Sequence, residues 1–494
     1  MPDWLTERVA TTPEQVALLF GEQRWTYAAL AAEVAGWCGR LAAMGTRPGS
    51  LLAVLMPNRP EYVCLVHAAA RLGLVLVPLN TRLARPELAW QLAYTGCRWL
   101  LCDHTTEAVA ADLAEPGRAV LSVDAPGRVG VGALAAARPG PFTPVPFRLD
   151  STQAILFTSG TSGRPKAAMI TYANHFWSAT ASAFRLGHRP DDRWLSCLPL
   201  YHVGGLAVLF RACLYGISVI LHPRFQVATV NDSLEQDGAT LVSLVPTMLG
   251  RLLAVRPVWP AALRLVLLGG AAAPPELLAA AGAAGVPVAT TYGLTEAASQ
   301  VATLLPAGVR QKPGSVGRPL LFSRVRIADE AGQTVEPGRY GEILVSGPTV
   351  MAGYYRDTTA TGRALAGGEL HTGDIGYLDE DGDLWLVQRR SDIIVSGGEN
   401  VYPAEVERVL AQHPAVGAAC VVGLPHPEWG QQVAALVVLQ PGARLGEAEL
   451  LAFSRQRLAG YKQPRLLRFT TALPLTASGK VARAEVQQAL AELL

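Results

Sequence analysis

Thr158-Ser159-Gly160-Thr161-Ser162-Gly163-Arg164-Pro165-Lys166 follows the apolar run Ala154-Ile155-Leu156-Phe157. The run reads as a buried strand, and the loop after it is polar, holds two glycines and ends in a cation. Gly160 and Gly163 let the backbone turn sharply and bring its N–H groups close to a ligand. The hydroxyls of Thr158, Ser159, Thr161 and Ser162 add donors and Lys166 adds a charge, a combination that suits phosphate oxygens. A solvated Gly/Ser turn has the same composition, so the loop alone decides little. It is not a Walker A loop, because Pro165 stands where that motif needs glycine directly before lysine. The spacing predicts a phosphate loop of another kind at the end of a strand.

Working outward, residues 1–150 alternate helix and strand patterns. Leu30, Val34, Trp37, Leu41 and Met44 share one face of a helix that Thr26 can cap. A strand over 51–56, a helix over 61–72 and a strand over 74–78 follow. This β–α–β rhythm predicts a parallel sheet with helices on both faces. Beyond the loop, Gly269-Gly270-Ala271 and Thr290-Thr291-Tyr292-Gly293-Leu294-Thr295-Glu296 leave the ends of further predicted strands. In open α/β sheets, ligands bind at such ends. Gly270 and Ala271 leave room for a flat ring against the backbone, and Tyr292 offers an aromatic face. Glu296 is a hard carboxylate suited to Mg²⁺ carried in with a triphosphate, although taken alone it reads as a solvated loop residue.

Between these segments, Pro199 ends a strand, His202 sits at a turn, and Arg211 interrupts an apolar helix. A cation on such a helix snorkels to solvent or meets a specific anion, and snorkelling is the commoner outcome. From Val316 the pattern becomes short, turn-separated strands, a small β subdomain or barrel. Within it, the carboxylate of Asp374 can accept two hydrogen bonds from a ribose diol. The segment 393–494 begins afresh with mixed strands and two amphipathic helices. The expected architecture is therefore α/β: a large N-terminal domain (1–388) of layered βα sheets with the small β-barrel subdomain, a hinge at 389–392, and a small, mobile α+β C-terminal domain (393–494). Lys480 lies in a small, polar, turn-forming run and reads as an exposed loop lysine.

Composition narrows the partners. A net charge of +2 gives no reason to expect nucleic acid or an anionic membrane. No uncharged apolar run is long enough to span a bilayer, and the N-terminus has no signal-peptide pattern. Seven cysteines scattered without metal-type spacing fit a reducing cytosol. A cytoplasmic protein is expected.

In order along the chain, 158–166, 292–296, 372–374, Arg389, Gly397-Gly398-Glu399-Asn400 and 478–480 resemble the motifs of the adenylate-forming superfamily of acyl-CoA synthetases, luciferases and peptide-synthetase adenylation domains. Motifs gain specificity from order and context, and this set spans nearly the whole chain. The resemblance implies a two-step ligase: a carboxylate attacks the α-phosphorus of Mg·ATP, and a thiol, here that of CoA, then attacks the acyl-adenylate. It implies that 158–163 and Lys166 hold the β- and γ-phosphates, that Thr295 contacts the α-phosphate, and that Glu296 meets Mg²⁺. Gly270, Ala271, Thr291, Tyr292 and Gly293 would frame adenine, with Asp374 and Arg389 on the ribose. Lys480 would bridge the carboxylate and α-phosphate, and after domain rotation Gly397 and Gly398 would line the CoA thiol's path. At the hinge position the superfamily usually has Asp or Lys, and here it is Ser391.

The stretches 174–178, 194–211, 292–300 and 389–403 further resemble the branch of the superfamily that joins o-succinylbenzoate to CoA in menaquinone synthesis. Such an acid keeps one carboxylate that is not activated, and a buried carboxylate without a partner is costly. Arg211, Ser299 and Gln300 are the candidate anchors, with His202 lining the acyl pocket. Other aryl or medium-chain acyl-CoA ligases and carrier-loading adenylation enzymes are the alternatives. Superfamily members are often dimers or tetramers, which leaves a homo-oligomer open.

Overall fold

Thr26 does cap a helix: its side chain accepts from the Ala29 N–H, and Tyr27–Ala43 buries Leu30, Val34, Trp37 and Leu41 on one face. The computed structural model describes residues 2–125, 127–158, 165–388, 393–474 and 481–493. Packing divides the chain into two units, Met1–Thr81 with Thr95–Leu156 and Ala167–Val387, and Arg82–Tyr94 with Phe157–Lys166 and Gln388–Leu494.

The first unit holds two eight-stranded sheets. In one, Leu51–Leu55, Val75–Pro78, Trp99–Cys102 and Ala119–Ser122 run parallel beside Thr152–Thr158, whose far end leads into the segment 158–166. In the other, Val288–Tyr292, Leu265–Leu268, Leu241–Leu244, Arg193–Ser196 and Ser218–Leu221 lie side by side in parallel. Leu241–Leu244 and Leu265–Leu268 are buried at every position, as strands covered on both faces must be. The carboxyl ends of this second group carry the loops that begin at Gly269 and Gly293 and the turn before His202. A five-stranded antiparallel sheet forms the small β subdomain, and its strand Leu370–Leu378 carries Asp374.

The second unit is built on Val416–His426 paired antiparallel with Gly430–Leu439, and Leu466–Thr470 adds in parallel. Three helices pack with it, Pro403–Leu410, Glu447–Arg455 and Arg483–Ala491, one more than the sequence pattern suggested. The last two each bury only two residues, Leu450 with Ser454 and Val486 with Leu490. Inside this unit the Lys462 ammonium is buried between Glu87 Oε1 at 2.5 Å and Glu405 Oε1 at 2.8 Å. Glu87 Oε2 also accepts from the N–H groups of Ala84 and Ala459. Trp90 and Tyr94 stack on each other, and both rings meet Phe157 edge-on.

Candidate active site

The strand Val288–Tyr292 runs into a tightly folded turn. A Cβ placed on Gly293 would stand 1.5 Å from the Ser299 carbonyl oxygen, so only glycine fits there. Thr295–Ala297 form a single 3₁₀ turn, and the chain then passes through Ala298 and Ser299 at φ 49° and 94°. Two non-glycine residues in this region cost about 1–3 kcal/mol each and persist only where neighbours hold them, commonly at functional sites. Glu296 is oriented by the Tyr354 hydroxyl, which donates to its Oε1 at 2.9 Å, and the Met351 N–H binds the Glu296 carbonyl. Tyr292 is buried and donates to Asp374 Oδ2 at 2.6 Å, which joins the proposed adenine and ribose positions through one hydrogen bond. The Thr291 hydroxyl donates to the Ala302 carbonyl, and its methyl lies against Gly269. On the neighbouring strand end, Gly270 has φ 80°, and a Cβ there would press on Val245 at 3.2 Å. Ala271 follows in the same loop.

Arg211 does not snorkel. Its helix, Val203–Tyr215, is apolar on nearly every face, and the guanidinium is 2% exposed. Nη2 lies 3.4 Å from both Ser178 Oγ and Ser299 Oγ, the cation sits 5.6 Å from the Trp194 ring centroid, and Nε has no partner. No carboxylate among the described residues pairs with it. Burial pushes its pKa down. Close by, His175 is held down to about 3 by burial and then by the Arg211 charge, so it stays neutral and adds no second cation. Gln300 is buried one residue beyond Ser299; its amide donates to Thr303 Oγ1 at 3.0 Å, while its Oε1 has no partner. His202 is the half-buried N-cap residue of the same helix, nine positions before Arg211. That spacing is about 13 Å along the axis. Ser178, quoted only as the end of the stretch 174–178, and Tyr354 received no role from the sequence because each is distant in the chain from the group it contacts, and no spacing rule connects them.

In the second unit, Gly397 and Gly398 form the two-residue turn between Ile394–Ser396 and Glu399–Val401, at φ 58° and 83°. Hairpin turns of this length need left-handed residues, which explains the glycine pair. Gly397 lines a cavity of about 300 Å³ together with Arg82, Trp429, Tyr461 and Arg465. Thr158 ends one strand and Lys166 begins the next. Ser159, Gly160, Thr161, Ser162, Gly163, Arg389, Ser391 and Lys480 lie outside the described residues. Two acidic clusters elsewhere already hold a cation of the protein's own: Lys312 among Asp379, Asp381 and Asp383, and Arg59 beside Asp103 and Asp124.

The family described as AMP-binding enzyme matches residues 5–355, and the AMP-binding enzyme C-terminal domain matches 405–480. The 2-succinylbenzoate–CoA ligase of Geobacillus kaustophilus is 42% identical over 494 residues, covering 99% of this chain and 98% of its own. Among solved structures, a double mutant of o-succinylbenzoate CoA synthetase from Bacillus subtilis, bound with its product analogue OSB-NCoA, matches with a TM-score of 0.92 at 39% identity. It covers 99% of this chain and 98% of that one. The same enzyme in complex with ATP and magnesium ion gives 0.76 at 39% identity, covering 98% and 99%.

Proposed function

Because the chain belongs to the AMP-binding enzyme family, we propose that it is an AMP-forming acid–thiol ligase that converts o-succinylbenzoate, ATP and CoA into o-succinylbenzoyl-CoA, a step of menaquinone synthesis. The observation that carries the choice of acid is Arg211, a buried guanidinium with two hydroxyl neighbours and no carboxylate of its own among the described residues. A cation held that way is costly to bury, and an anion that visits it recovers that cost. The second carboxylate of the substrate is such an anion, and a mono-acid has none. Ser299 and Gln300 flank the same place, and His202 stands toward the reacting end.

The nucleophile is already ionised, so the first half-reaction needs charge neutralised at the α-phosphorus more than it needs a base. Lys166 with 158–163 receives the outer phosphates, Thr295 meets the α-phosphate, and Lys480 bridges it to the attacking carboxylate. Glu296, aimed by Tyr354, suits the Mg²⁺ that accompanies ATP and spreads the phosphate charge. Asp374 and Arg389 hold the ribose, and Gly270, Ala271, Thr291, Tyr292 and Gly293 frame the base. The carboxylate oxygen bonds to phosphorus as pyrophosphate departs. In the second half-reaction the CoA sulfur bonds to the acyl carbon and AMP leaves. The segment 393–494 turns about 389–392, with Ser391 at the pivot, so that Gly397 and Gly398 replace Lys480. The cavity beside Gly397, with Arg82 and Arg465 on its wall, suits the phosphates of CoA.

The test is pyrophosphate release dependent on ATP and CoA, screened over o-succinylbenzoate, benzoate, a cinnamate and octanoate, with the thioester identified by mass. A strong preference for o-succinylbenzoate supports the assignment. Preference for a mono-acid removes it, and adenylate without thioester moves the protein to carrier loading.

A further inference from the structure

Ser178 lies on Tyr172–Leu186, is 1% exposed, and ends the stretch 174–178, where no role has been assigned to it. Its hydroxyl has one proton, and that proton goes to the Ala298 carbonyl at 2.7 Å. The remaining lone pairs face Arg211 Nη2 at 3.4 Å. Ala298 and Ser299 both have positive φ in that turn, and Ser299 Oγ is the other hydroxyl beside Arg211. One side chain therefore touches both the strained turn and the guanidinium. The turn is already crowded from the opposite side, where the Ser299 carbonyl sits over Gly293.

We infer that Ser178 is a positioning residue for acid selection: it fixes the 298–299 turn and the Arg211 guanidinium as one unit, so that the cation is aimed at the carboxylate that is not activated. This rests on the o-succinylbenzoate reading. Without the hydroxyl, Arg211 keeps Ser299 Oγ as its one hydrogen-bond partner among the described residues, and the turn loses the donor that ties it to the helix. The cation remains but is no longer held in place. The cost falls on a substrate that must meet it and spares one that does not.

The experiment uses the full-length enzyme with Ser178→Ala, compared with wild type on o-succinylbenzoate and on the analogue from which the second carboxylate has been removed. Expected is a fall of about tenfold in kcat/KM for the diacid, mostly in KM, while the mono-acid analogue stays within about twofold. The diacid preference then narrows by about tenfold. Equal losses on both acids would assign Ser178 to general scaffolding and overturn the inference, as would a diacid preference equal to wild type. A wild-type enzyme that does not itself prefer the diacid would sink the substrate assignment, and the inference with it.

Discussion

Replacing Arg211 with methionine should make the empty protein more stable while removing its use for a diacid. Methionine matches much of the apolar length of arginine and carries no charge to desolvate. In the native site the guanidinium has two neutral hydroxyls at 3.4 Å, at the long end of hydrogen bonding. Together they return about 1–3 kcal/mol at most, against several kcal/mol for burying the ion. The unpartnered Nε adds about 1–3 kcal/mol to the cost. The cation–π contact with Trp194 offsets about 1–2 kcal/mol. The balance favours Arg211→Met by about 1–3 kcal/mol in the absence of ligand. For a unit of this size that is about 1–4 °C in the first thermal transition. The functional sign is opposite. Losing one member of a buried charge pair costs about 2–5 kcal/mol, so kcat/KM for o-succinylbenzoate falls by at least about 30-fold. Differential scanning calorimetry with and without the diacid, paired with pyrophosphate release, reads both. A ligand-free variant that melts below wild type would refute the reasoning, because it would mean that Arg211 is satisfied by the fold and waits for nothing.

Tyr354→Phe removes the hydroxyl that aims Glu296, and the Mg²⁺ concentration for half-maximal adenylation should rise by about 10-fold or more, measured by pyrophosphate exchange. Gly293→Ala sets a methyl against the Ser299 carbonyl and displaces the turn carrying Thr295 and Glu296; exchange should fall by about 100-fold or more in a protein whose circular dichroism is native. Glu405 has its pKa raised by burial, ahead of the opposing pull of Lys462. Its favourable contribution is therefore complete below its ordinary value and is lost as pH rises toward the higher folded one. Glu405→Gln mimics the protonated acid and should flatten that decline, followed by hydrogen exchange of the strand Val416–His426 from acid to neutral pH.

The architecture was legible because the local signals agreed. Apolar runs became parallel strands, Thr26 capped its helix, and the glycine-bearing loops at 269–271 and 293–296 fell at strand ends. Arg211 was readable only in part. Its composition suggested snorkelling, yet the helix around it is apolar on nearly all sides, and such a helix is buried whatever single charge it carries. The hydrogen bonds that give the site its geometry were not legible. Tyr292 to Asp374, Tyr354 to Glu296 and Ser178 to Ala298 join residues 58 to 120 positions apart. Chain proximity cannot announce a contact that the sheet order creates. Two helices rather than three were expected in 393–494 for the opposite reason, because stripes of two buried residues, as on Glu447–Arg455 and Arg483–Ala491, are too thin to show as a period.

The carboxylate of Glu87 gives the C-terminal region a dependence that its sequence boundaries conceal. Lys462 is held from one side by Glu405, which any C-terminal fragment would keep, and from the other by Glu87, which it would leave behind. Anyone exchanging C-terminal domains between relatives at residues 389–392 would be transplanting half of a buried ionic contact. The helix that supplies the other half also leans on Phe157, next to the proposed phosphate loop. The natural unit of exchange is therefore discontinuous, 82–94 and 157–166 together with 388–494, and a chimera that moves only the last leaves Lys462 with Glu405 alone.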